Sequence, residues 1–144
     1  MIPEKCCRNT SDSNIKVSDQ RSTTAVFENA EKAAHTLVRF DGCVVTGSVA
    51  CDWIVEKVNV GRIAVELKGT DVDHAAKQVE SALRFLRDNG LNDLPVAGLI
   101  VCTRYPRIDT TVQRIKQRIA KTYSAPLTVK TDGRALAFES LLSF

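Results

Sequence analysis

One short segment does most to constrain the fold. Val96 to Cys102 reads Val-Ala-Gly-Leu-Ile-Val-Cys, seven residues without a charge or a strongly polar group. A strand with one wet face alternates apolar and polar residues, so an unbroken apolar run is expected of a strand covered on both faces. Strands of this kind usually pair in parallel and need crossover helices. Amphipathic segments flank the run on either side. From Val72 to Arg87, Ala75, Val79, Ala82 and Leu86 form one stripe, with Asp71 or Asp73 at the N-terminus and Asn89-Gly90 ending the segment. From Thr110 to Tyr123, Val112, Ile115 and Ile119 form another, and Pro126 limits it. Leu127 to Lys130 reads as a further strand and Ala135 to Phe144 as a short terminal helix.

Upstream, Cys43–Val49, Cys51–Val60 and Arg62–Leu67 read as strands, with a hairpin turn from Asn59 to Arg62 around Gly61. Before them, Val26, Ala30, Ala33, Ala34 and Leu37 recur at helical spacing, so Thr24–Val38 reads as the first helix, ended by the Asp41-Gly42 turn. Residues 1–23 are polar and lack an apolar period, and are expected to form a flexible tail. The order α-β-β-β-α-β-α-β describes one α/β domain over residues 24–144, a mixed central sheet with helices on both faces.

The 144 residues are 44% apolar, enough for one domain with an ordinary core. No stretch approaches the ~20 apolar residues that span a bilayer, and the N-terminus lacks a signal peptide's apolar core. The five cysteines have no zinc-type spacing and read as reduced thiols. A cytoplasmic, reducing location is therefore expected.

Three side chains carry chemistry. Glu66 and Lys68 are two apart at the end of a strand and should project from one face. Asp52 opens the preceding strand, so a hairpin should bring it beside them. Two carboxylates and a main-chain carbonyl are the hard oxygen ligands that Mg²⁺ prefers, and an ammonium beside them can offset charge on a phosphate in its transition state.

The segments Cys51-Asp52-Trp53-Ile54-Val55-Glu56 and Arg62-Ile63-Ala64-Val65-Glu66-Leu67-Lys68-Gly69 resemble the PD-(D/E)XK nuclease superfamily. The resemblance covers residues 25–129 by element order and three residues by motif. It implies a restriction-endonuclease-like αβββαβ core and Mg²⁺- or Mn²⁺-dependent hydrolysis of DNA phosphodiesters. Asp52, Glu66 and the Leu67 carbonyl would hold the metal, with Lys68 as the catalytic lysine. Cys51 stands where the motif's proline would be. By comparison with its junction-resolvase-like branch, Glu31 on the first helix would add a metal ligand. Gln78, on the helix after the lysine strand, would orient the site. His74, one turn earlier, has a plainer reading as a helix N-terminal residue.

Between Arg104 and Arg134 there are eight Lys or Arg residues, opposed only by Asp109 and Asp132. Arg114, Arg118 and Lys121 recur at i, i+4 and i+7, opposite the apolar stripe of their helix, and with Arg104 and Arg107 they form the expected phosphate contacts. An ordinary solvated helix face has the same pattern. So small a nuclease would act as a homodimer or beside a partner protein. A non-catalytic DNA- or protein-binding protein on the same fold is the alternative.

Overall fold

The computed structural model describes residues 2–19, 23–67, 71–102 and 110–144. Eight strands and two α-helices follow in the order β1 (Cys7–Thr10), β2 (Asn14–Ser18), β3 (Thr24–Glu28), β4 (His35–Arg39), β5 (Trp53–Lys57), β6 (Gly61–Leu67), α1 (Val72–Asp88), β7 (Val96–Val101), α2 (Thr110–Tyr123) and β8 (Leu127–Lys130). Short 3₁₀ turns at Glu4–Cys6 and Glu139–Leu142 lie near the two ends. Six strands form one sheet in the order β1-β4-β5-β6-β7-β8, and β2 and β3 form a separate pair. Within the large sheet, β1 through β6 pair antiparallel, while β6, β7 and β8 are parallel. The chain is thus mixed α/β, as its alternation of periods implied.

Both parallel connections step the same way across the sheet, from β6 to β7 to β8. Right-handed crossovers that advance in one direction place their helices on one face. The expected helices on both faces are therefore corrected: α1 and α2 share a face, burying Ala76, Val79, Leu83, Leu86, Ile115 and Ile119 against Ile54, Ala64 and Ile100. The β2–β3 pair and the C-terminal residues Leu136, Phe138 and Leu141 cover the other face, against Leu37, Val55, Ile63, Val65 and Leu99. Close approach of α1 depends on Gly98 in β7, where a Cβ would lie 2.7 Å from Val79 Cγ1.

The expected first helix, Thr24–Val38, is instead two strands. Ala25 and Phe27 are buried while Val26 lies between them half-buried, a period of two. Asn29 then makes the turn: its side chain accepts from Ala33 N at 3.0 Å and donates to Ala33 O at 2.9 Å, with Lys32 at φ 54°. The alanines at 30, 33 and 34 imitate a helical stripe but straddle this turn. The flexible tail is corrected too. Ile15 and Val17 alternate with exposed residues in β2, and Ile15 pairs with Phe27. The Cys43–Val49 strand is absent; Gly42 and Gly47, at φ 80° and 76°, turn the chain there.

Cys6 and Cys43 form a disulfide, leaving Cys7, Cys51 and Cys102 as thiols. The reading of five reduced thiols is corrected by this bond, which is not a sign of a reducing compartment. No helix among the described residues is long and apolar enough to cross a membrane. The bond spans 37 residues, and closing a loop of that size stabilises by roughly 3–4 kcal/mol through the unfolded chain. Unfolding in urea with and without reductant should differ by roughly 2–4 kcal/mol. Titration of the unreduced, denatured protein should count three thiols; five would contradict the assigned bond.

Candidate functional site

Asp52 and Glu66 meet because of the β5–β6 register. Trp53 pairs with Val65 and Ile54 with Ala64, so the next pair outward is Asp52 with Glu66. Ile54 and Ala64 belong to the core under the helices, and alternation puts both carboxyls on that same face, near the N-terminus of α1. Leu67 N donates to Asp52 Oδ2 at 2.8 Å. The approach to Asp52 is held by main chain: Phe40 N donates to Asp52 O at 3.1 Å and Asp41 N to Cys51 O at 3.0 Å. From α1, Gln78 Nε2 donates to Ala50 O at 3.3 Å. Gln78 therefore positions the segment that carries Asp52. Trp53 turns to the opposite face, where its Nε1 donates to Ser18 O at 3.0 Å and Arg39 stacks over its ring.

Electrostatically the pair is acid against acid. Glu66 is only 6% exposed. Burial raises its carboxyl first, and the charge of Asp52 and a hydrogen bond with the Asp52 side chain raise it further, to about 9. Burial also raises Asp52, opposed by the Leu67 N–H and by the bond to Glu66; the negative fields of Asp19 and Asp41 push it up. Glu66 Oε1 is buried and lacks a hydrogen-bond partner. Two carboxyls this close resist ionising together, and Glu66, raised to about 9, is the one that keeps its proton at neutral pH. Among the described residues no Lys or Arg pairs with either carboxyl. The neighbouring Cys51 thiol is pushed well up by burial and by the same two carboxyls, which disfavours the thiolate.

The remaining candidates separate. Lys68, Arg104 and Arg107 lie outside the described residues. Glu31 is on no helix: it follows β3 and binds Lys57 Nζ at 2.6 Å, with Glu139 as that lysine's second partner. Lys57 ends β5, four residues beyond Trp53 or about 13 Å along the strand, and faces the β2–β3 side. Glu31 is therefore corrected from ligand to ion-pair partner of a buried lysine. His74 is exposed in the first turn of α1, its N–H donating to the cap Asp71. Arg114 and Lys121 are exposed on α2, while Arg118 reaches across to Glu80 of α1 at 2.5 Å. In the sequence Asp41 reads only as a turn residue, and its field at the acid pair has no signal there.

Among the described residues, no group of three or more His, Cys, Asp and Glu side chains is placed to hold a metal. Asp52 and Glu66 supply two carboxyls, and a third oxygen would come from the Leu67 main chain. The folded protein keeps the Glu66 proton up to about pH 9, whereas an unfolded glutamate releases it near the usual 4.5. Its stabilising contribution is thus complete below the unfolded value and declines as pH rises towards 9. Glu66→Gln should remove this decline and be more stable than wild type at pH 8 by at least about 1.4 kcal/mol, measured by urea unfolding across pH 5–9. A parallel pH dependence in both proteins would contradict the assigned proton. No protein-family model matches the chain, and neither a curated protein nor a solved structure matches it.

Proposed function

We propose that the chain is a Mg²⁺- or Mn²⁺-dependent deoxyribonuclease of PD-(D/E)XK type. The observation that carries this reading is the buried Asp52–Glu66 pair, which has no cationic partner among the described residues and sits at the end of the strand that, in sequence, leads into Lys68. The donor set fits the metal: two carboxyls and a main-chain carbonyl are hard ligands, and Glu66 Oε1 is a buried acceptor in need of a partner. Asp52, Glu66 and the Leu67 carbonyl would hold the cation, with Glu66 releasing its proton. Bound there, Mg²⁺ supplies a water of lowered pKa and Lewis-acid stabilisation of the phosphate.

Asp52 is oriented for this by the Leu67 N–H, and Gln78 fixes the segment before it. Lys68, two residues beyond Glu66, is assigned the positive charge that offsets the phosphorane. The order β4, β5, β6, α1, β7 is compatible with the βββαβ part of the αβββαβ order that the resemblance implies. Residues 24–28 and 35–39 are strands, so the helix expected over 24–38 is not formed and Glu31 is not offered to the site. A two-carboxylate site is the consequence. A homodimer would allow paired cuts in a duplex.

Cleavage of labelled duplex, branched and single-stranded DNA in Mg²⁺ or Mn²⁺ tests the reading. Wild type should cut in a metal-dependent way, and Glu66→Gln and Lys68→Ala should each lose about 10²-fold or more. Folded wild type that cuts none of these substrates, or variants that cut as well as wild type, would contradict it.

A further inference from the structure

The two helices on one face of the sheet join two parallel strand crossovers, so they run in the same direction. Two side-chain contacts fix their alignment: Arg118 with Glu80, and Arg87 stacked 5.3 Å over the ring of Tyr123. Residues 77–87 of α1 therefore lie alongside residues 114–123 of α2. On α1, Lys77 and Arg84 are seven apart and share the face opposite the buried stripe of Val79 and Leu86. On α2, Arg114 and Lys121 are likewise seven apart and face away from the buried Ile115 and Ile119. All four are exposed, and none is in an ion pair among the described residues. Arg87 and Arg118 lie between these rows, partly neutralised by Asp88 and Glu80. Asp73 and Asp88 lie four residues before Lys77 and after Arg84 on the same face, and Asp71 caps the helix.

We propose that this two-helix face is the surface that binds the sugar-phosphate backbone of duplex DNA, with Lys77 and Arg84 of α1 as phosphate contacts alongside Arg114 and Lys121. The proposal rests on the reading of the chain as a protein that acts on DNA, and it extends the interface from one helix to two. Two features select a nucleic-acid backbone. The cations form two rows on parallel helices about 8–10 Å apart, each row about 10 Å long at ~1.5 Å per residue. That length matches about three nucleotide steps of ~3.4 Å. The face is also free of apolar anchors: the exposed large hydrophobic residues, among those described, are Val49, Val58 and Phe144, none of them on either helix. A bilayer-binding helix needs such anchors. Both helices begin at the end of the sheet where the acid pair lies, so a backbone tracking these rows leads towards Asp52 and Glu66.

The test is fluorescence anisotropy of a labelled 20-base-pair duplex in EDTA, where cleavage plays no part, at several salt concentrations. Four phosphate contacts predict that log affinity falls with log salt at a slope of about −3.6. Lys77→Glu/Arg84→Glu should make the slope shallower by about two and weaken binding at least tenfold at low salt. Lys5→Glu/Lys16→Glu, which makes the same charge change away from the helices, should retain the wild-type slope. Wild-type slope and affinity in the α1 variant would overturn the proposal. So would wild type that ignores the duplex, or that prefers phosphatidylserine vesicles to it. Because metal is absent, a failed cleavage assay leaves this result standing, and the reverse holds as well.

Discussion

Strand β6 is buried at all seven of its positions, and the molecule is arranged around what that burial demands. It pairs antiparallel with β5 and parallel with β7, and both its faces are covered. Arg62 and Glu66 nevertheless sit at its two ends on the helical face, at 8% and 6% exposure. An ionised group this buried is costly unless paired. Arg62 is matched, donating to Leu91 O at 2.6 Å and Asp93 at 2.9 Å, with Glu56 nearby at 3.4 Å. Glu66 faces another carboxyl instead. The same strand thus carries one charge with carboxylate partners, although Arg62 Nε makes no hydrogen bond, and one carboxyl set against another.

The contrast with Lys57 supports this distinction. Two carboxylates, Glu31 and Glu139, converge on its ammonium from separate segments, and its pairing draws the β3–β4 loop and the C-terminal turn against the sheet. Opposite charges that close on one another stabilise an arrangement. Two acids held side by side, with Asp52 fixed by the Leu67 N–H, keep a geometry that would disperse if both were ionised.

The parts of the fold that could be read from the sequence are those where period and burial agree. The apolar run Val96–Cys102, the two amphipathic helices and the β5–β6 hairpin all appear near their expected bounds, since each element packs against β6 or β7 and its period records that contact. Residues 24–38 misled because three alanines at helical spacing lie in and around an Asn29 turn, whereas the decisive residue, Phe27, falls off the stripe. The N-terminal strands were missed because β2 offers only Ile15 and Val17 as signal among polar neighbours. The disulfide was out of reach as well: five cysteines fix no pairing, and Cys6 meets Cys43 only after β1 has joined β4. Of the candidate site, the meeting of Asp52 with Glu66 follows from the hairpin between their strands together with strand alternation. The Gln78 bond to Ala50 and the field from Asp41 depend on loop geometry that no local pattern encodes.

In the proposed metal site the acid pair holds one proton that a divalent cation would replace. Titration calorimetry of Mn²⁺ into wild type at pH 7.5, in two buffers of different ionisation enthalpy, measures this directly. The account predicts metal binding with release of about one proton per cation, and neither binding nor release in Glu66→Gln. Binding that is independent of buffer, or that survives Glu66→Gln unchanged, would contradict it.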